Sequence, residues 1–298
     1  MTQTQLLKQQ TRSAASWRRS PSATRQRIAE QVIGHAVLGV VGLMFFLPFF
    51  WLVSTSLKEL QQIFRLPPVW IPNPIRWQNY PEALSYFPFL RQLSNTLIVA
   101  CSNVVLTLIS STLVAFSFSR LRWPGRNLCF FLMLSTMMLP YQVTMIPLFM
   151  IYRTLGWVNT FLPLIVPHLF GAPFFIFMLR QFFLGLPRDL DEAAILDGCS
   201  TAGILYYVIL PLAKPALATV GLFQFLGSWN DFLGPLIYLN DPSKYTLSLG
   251  IQVFASTSGV HWGWMMAVTT VLTVPVVTLF FFTQRTFIQG IALTGIKA

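Results

Sequence analysis

Residues 32–54 read VIGHAVLGVVGLMFFLPFFWLVS, 23 in a row without an acidic side chain, a lysine or an arginine. At about 1.5 Å of rise per helical residue, such a stretch crosses the roughly 30 Å hydrocarbon core of a bilayer. The same ruler laid along the chain predicts six spans, at about 32–54, 94–118, 127–150, 161–184, 213–239 and 264–285. The last contains WMMAVTTVLTVPVVTLFFFT, again without a charged residue. Composition agrees: 54% of the 298 residues are hydrophobic and 10% charged, where a typical soluble domain carries about 25% charged residues. Too few ionic groups remain to cover a water-facing surface, so the fold class is an all-α membrane protein.

The charge balance is basic, 20 Lys and Arg against 9 Asp and Glu. No groove-sized basic cluster lies in the body of the chain, which excludes nucleic acid as the partner that this charge serves. Positive residues instead follow the connections. Fourteen fall in the tail, in 119–126, in 180–214 and from 285 onward, and six in the alternate connections. The positive-inside rule then predicts that both termini are cytoplasmic. Residues 1–30 form a polar, basic tail on an uncleaved first span, because the apolar run that follows is too long for a signal peptide. The expected organisation is a tail at 1–30, a membrane domain at 31–290 and a second short tail at 291–298. Proline and tryptophan in LPPVWIPNPIRWQNYPEAL, within the long connection 55–93, predict an irregular outer segment lying at the interface.

Cys101, Cys129 and Cys199 are scattered, and His35, His168 and His261 stand alone. Neither pattern provides a disulfide framework, a metal site or a cofactor site; each is expected to be a packed or hydrogen-bonded residue. A G-x4-GK[ST] phosphate loop is absent throughout. The chain is therefore expected not to be an enzyme, and any ATP chemistry would belong to another polypeptide.

The connection between spans four and five reads GLPRDLDEAAILDGCSTAGILYYVILPLAKP over 185–215. Asp189 stands three residues before Glu192, a capping-box spacing that predicts a helix starting after Pro187. Gly198 is placed to end that helix in the left-handed conformation. Ser200 or Thr201 caps a second short helix, which Pro211 is expected to stop. The result is a hairpin at about 186–211 that lies on the membrane surface. Its acids Asp189, Asp191, Glu192 and Asp197 stand among basic loops, a charge pattern suited to a soluble partner with basic groups.

The run Glu192-Ala193-Ala194, three residues, Gly198, nine residues, Val208, one residue, Leu210-Pro211 resembles, in full, the EAA loop of ABC-importer permeases. Similarity continues over most of the chain, in FFLPFFWLVSTSLKE, AFSFSRLRWPGR, MMLPYQVTMIPLF, WNDFLGPLIYL and QRTFIQGIALTGIK. These segments look like the maltose-type carbohydrate importers, and most like the smaller of their two permease subunits. The resemblance implies a type I permease fold of about six helices in a bacterial inner membrane. It also implies a second permease, two ATP-binding subunits and an extracytoplasmic solute-binding protein. Glu192, Ala193, Ala194, Asp197, Gly198, Leu210 and Pro211 would form the contact with the ATPase, and Gly295, Ile296 and Lys297 would reach toward it.

Asp231 is the one carboxylate expected inside a span, beside Trp229 and Asn230. Ionisable groups in hydrocarbon cost about 2.5–3.5 kcal/mol and usually face a cavity or a partner. Gly227, Gly234 and Pro235 around it predict a broken helix, so Trp229, Asn230 and Asp231 are the candidates for a translocation path. Capping of the break by Asp231 is the other reading. A self-contained secondary transporter would show several intramembrane acids and internal repeats, and a membrane enzyme would show clustered His, Cys or acids. Neither pattern is present.

Overall fold

The computed structural model describes the backbone of residues 21–256 and 259–295 and the side chains of 30–255 and 260–284. The elements run in the order α1 Pro21–Ser56, α2 Leu60–Ile63, α3 Asn79–Tyr86, α4 Phe89–Arg120, α5 Arg126–Ser135, α6 Tyr141–Thr154, α7 Leu162–Ile165 and α8 Pro173–Gly185. Then come α9 Asp189–Leu196, α10 Thr201–Leu212, α11 Lys214–Trp229, α12 Leu233–Tyr238, α13 Leu247–Gly250 and α14 Trp262–Gly295. One antiparallel pairing of Ala255–Ser256 with Gly259–Val260 is the only β structure among the described residues.

Six spans are present if each bent pair of helices counts as one, but only four are continuous enough to cross a membrane unaided. The third expected span breaks at Leu139-Pro140, and its halves α5 and α6 meet at 99° once the 3-10 turn Thr136–Met138 is included. Pro140 cannot donate a helical hydrogen bond, which explains a break at that point. The first helix starts at Pro21, so its first turns fall within the stretch 21–30. Residues 1–20 and 296–298 lie outside the described residues, and with them most of the expected N-terminal tail and the last three residues of the C-terminal one.

The long α4 is the axis of the fold, packed along α8 on one side and α11 on the other. Its buried face is polar and small: Asn103, Thr107, Ser110 and Ser111 repeat at helical spacing. Small polar residues let helices approach closely in a membrane and bond across the gap. Asn103 Nδ2 donates to Ser228 Oγ at 3.0 Å, and Ser110 Oγ donates to His168 O at 2.9 Å. An apolar cluster at the Arg120 end of α4, termed the inner cluster after the expected orientation, joins Ala115, Phe118, Leu179, Phe183, Ile209 and Val220. A second, at the Phe89 end, termed the outer cluster in the same way, joins Ala83, Phe87, Trp229, Leu247, Phe254 and Val268.

The span α7–α8 is interrupted at Gly171, whose φ of +83° with ψ of 155° only glycine adopts without strain. A Cβ built there would lie 3.0 Å from Ile176 Cδ1. Gly171→Ala is therefore expected to destabilise the protein by about 1–3 kcal/mol. Thermal unfolding of the purified complex checks this through a lowered Tm; an unchanged Tm would contradict it.

The outer connections are ordered by α1 and α4. Asn79 Nδ2 donates to Ser56 O and Lys58 O, holding α3 against the end of α1. Lys58 is 1% exposed, its ammonium 3.7 Å from the centre of the Trp51 ring. Leu247 N donates to Thr96 Oγ1, docking the short α13 on the outer end of α4. Cys101 and Cys129, expected to be packed, are instead exposed on the apolar surface of the bundle.

Candidate coupling hairpin and translocation path

Helix α9 opens with Asp189, Asp191 and Glu192 in its first turn, where carboxylates favourably meet the positive end of the helix dipole. Contrary to the capping-box reading, Arg188 precedes the helix and no side chain caps it. Asp189 is the first helical residue, one place too late to act as a cap. Gly198 does take the left-handed conformation, at φ +78°, and the chain reverses there. Ser200 caps α10 by accepting from Gly203 N at 3.2 Å. Pro211 does not stop α10: a π-helical segment, Ile204–Ile209, leads into Leu210–Leu212, and Pro211 sits in the first turn of that last piece. The helix ends instead after Leu212, where the path bends by 79° into α11.

The hairpin has two faces. Ile204 and Ile209 are buried in the inner cluster, with Ala194, Leu205 and Val208 packed against it. Elsewhere on the hairpin Leu196 is 88% exposed, and Tyr206 and Tyr207 are exposed as well. Of the expected contact residues, Glu192, Ala193, Asp197 and Gly198 are exposed too, whereas Ala194 is half-buried. Leu210 is half-buried and Pro211 exposed.

Asp191 departs from the expected pattern. It turns inward, and its Oδ2 lies 3.0 Å from Arg120 Nη1 at the end of α4. The side chains are 15% and 5% exposed respectively. Removing one partner of such a buried pair typically costs about 3–5 kcal/mol, because the other charge is stranded. Asp191 is therefore not free to face a partner. No local signal announces this pair, because Arg120 lies far away in the chain and reads in the sequence as one more positive charge of the expected inner side.

Helix α11 ends at Trp229 and α12 begins at Leu233, so the break predicted around Asp231 exists. Asp231 Oδ1 accepts from Gly234 N at 3.1 Å, which is the capping reading. The same residue also lines a cavity of about 370 Å³ with Tyr141, Tyr152, His168 and Tyr238. Trp229 and Asn230 do not join it there. They border a separate cavity against α14, formed with Ser248, Thr269 and Thr273. Trp229 is 5% exposed and stacks on Phe225, which makes it chiefly a packing residue. Among the described residues no group of His, Cys, Asp and Glu is placed to hold a metal ion.

Residues 108–292, which include the hairpin, match the family model for the binding-protein-dependent transport system inner membrane component. The chain belongs to that family.

This permease is 32% identical over 271 residues to the arabinooligosaccharides transport system permease protein AraQ of Halalkalibacterium halodurans, covering 89% of this chain and 95% of the relative. It is 33% identical to the sulfoquinovosyl glycerol transport system permease protein SmoH of Agrobacterium fabrum, with 89% and 92% covered. The diacetylchitobiose uptake system permease protein DasC of Streptomyces coelicolor is 31% identical, with 88% and 95% covered. Among solved structures, a chain of a bacterial ABC transporter that imports the acidic polysaccharide alginate superposes with a TM-score of 0.74, at 24% identity over 88% of this chain and 97% of that one. That likeness establishes the type I permease fold. As a membrane permease of an ABC importer, the protein is multi-pass and works with an ATPase and a substrate-binding protein. The self-contained transporter reading is thereby set aside.

Proposed function

We propose that this permease forms half of a carbohydrate path, with a second permease as the other half and two ATP-binding subunits on its cytoplasmic side. The observation that carries this reading is the complete EAA frame on a surface hairpin whose free face is acidic and apolar. Glu192, Ala193, Ala194, Asp197, Gly198, Leu210 and Pro211 act as the coupling element. Hydrolysis of ATP belongs to the partner, since the sequence contains no phosphate loop. Three close relatives in family and length are named for transport of glycans or a glycoside, which supports a carbohydrate as the cargo.

Asp231 is the path residue, through the cavity that it shares with three tyrosines. Its volume falls in the range of about 300–1,000 Å³ usual for ligand sites. Asn230 serves the adjoining cavity, with Trp229 as its wall. The domain division is a basic tail to about residue 30, the membrane domain to about 290 and a C-terminal tail. Gly295 ends the last described helix, and Lys297, which would point to the ATPase, lies outside the described residues.

Reconstituted complexes supplied with labelled arabino-, chito- and malto-oligosaccharides test the cargo. ATP-dependent accumulation of at least one is expected, and accumulation of none would contradict the carbohydrate reading. Orientation has its own test. Single cysteines at Leu196 and Arg65, both exposed, are treated with a membrane-impermeant maleimide outside intact cells. Labelling is expected at Arg65 alone, and external labelling at Leu196 would reverse the assigned topology.

A further inference from the structure

Helix α9 carries Glu192, yet it contains no buried residue. Its apolar hold on the bundle is slight, with Ala194 packed against the inner cluster. The following α10, by contrast, buries Ile204 and Ile209. Asp191 is the one acid of the hairpin that is not exposed, and it meets Arg120.

Arg120 joins three parts of the chain. It ends α4, pairs with Asp191 of α9, and its Nη2 donates to Phe183 O at 2.7 Å and Leu186 O at 3.1 Å. Those carbonyls close α8, the helix that leads into the hairpin. The tie is returned from the other side: Arg180 of α8 donates from Nε to Phe118 O of α4 at 3.3 Å, and its guanidinium lies 4.1 Å from the Phe130 ring centre. Each helix thus supplies an arginine to the last carbonyls of the other. Only Arg120 extends this junction to the hairpin.

We propose that Arg120 and Asp191 form a positioning link that makes α9 move as one body with the inner ends of α4 and α8. The inference rests on the coupling reading above and adds to it the path by which force leaves the hairpin. A push on Glu192 and Leu196 would otherwise be absorbed by the turns at Pro187 and Gly198. With the link in place it is delivered to the axis of the fold, α4, which also borders the polar core of the membrane domain through Asn103 and Thr107. Closure of the ATPases is then loaded by the whole bundle. Without the link that load is removed, and hydrolysis runs free of transport.

The test uses the whole complex in proteoliposomes, with MgATP as the only added probe and no binding protein. Asp191→Ala is expected to raise hydrolysis per assembled complex by about fivefold or more, the low end of typical coupling between sites. Asp191→Glu, which can still pair with Arg120, should restore the restrained rate. In an Arg120→Lys background, which loses the planar fork, Asp191→Ala should add little further. Should Asp191→Ala fail to assemble, Asp191→Asn keeps the shape of the side chain without its charge and carries the same expectation. Hydrolysis per complex that is unchanged, or that falls only with the amount assembled, overturns the link and leaves Asp191 a structural residue. Multiplying effects of the two substitutions overturn it as well. Glu192→Lys separates the two levels: if it disrupts coupling while the Asp191 variants behave as wild type, the link alone fails. If it too behaves as wild type, the coupling reading fails.

Discussion

Glu192→Lys and Gly198→Asp are each expected to abolish stimulated ATP hydrolysis and uptake while the chain still inserts normally. Glu192 is exposed on the free face of the hairpin, and no described residue of its own chain forms an ion pair with it. An exposed ion pair contributes only about 0–1 kcal/mol, but a buried interfacial charge facing a like charge costs several. Since each 1.4 kcal/mol is tenfold, reversal at that contact should lower uptake by about 100-fold. Gly198 acts differently. A Cβ there would meet nothing within 4 Å in its own chain. The cost is left-handed strain of about 1–2 kcal/mol, together with a new carboxylate at the partner contact. Arg65→Ala, exposed in the outer connection, is the control. Lys244 is less suitable, because its ammonium donates to Asn159 O at 2.8 Å. Uptake and ATPase retention at wild-type levels in both hairpin variants would refute the coupling assignment.

Asp231→Asn is expected to slow uptake about tenfold without loss of assembly. The amide keeps an oxygen to accept from Gly234 N, so the break between α11 and α12 remains capped. What is lost is charge in a cavity otherwise lined by phenols, an imidazole and apolar groups. A hydrogen bond to a charged group contributes about 1.5–3 kcal/mol and a neutral one about 0.5–1.5. For a sugar hydroxyl bound in passing, the difference is about tenfold. Asp231→Ala removes the cap as well and should also lower the amount of folded protein. Uptake measured per assembled complex separates the roles. A wild-type rate for Asp231→Asn, with a defect only in Asp231→Ala, would make the residue a cap and nothing more.

Membrane class, the six crossing segments and the hairpin were all legible in the sequence, because each depends on local chemistry. A run such as 32–54 has no other solvent than lipid, and a glycine between two short helical segments marks a turn. The left-handed Gly198 and a cap at Ser200 or Thr201, of which Ser200 takes the role, follow from chemistry that acts within a few residues. Misreadings arose where a neighbour in space decides. Asp189 and Arg188 exchange roles at the start of α9 through a shift of one residue, which spacing alone does not determine. Pro211 was expected to stop α10, but the helix runs one residue past it, to Leu212, before its path bends into α11. The third span hides its break because hydropathy stays high on both sides of Pro140. The Arg120–Asp191 pair and the separation of Trp229 and Asn230 from the cavity of Asp231 are tertiary facts. Nothing within a few residues of either announces them.

Site-directed photocrosslinking from Leu196 in membranes that contain the whole transporter tests the central claim most directly. Leu196 is 88% exposed at the tip of the hairpin, beside Glu192 and Asp197. A crosslink of this chain to the ATP-binding subunit is expected from Leu196, with none from Arg65 on the opposite side. Absence of that crosslink in a complex that hydrolyses ATP and takes up its cargo would contradict the account.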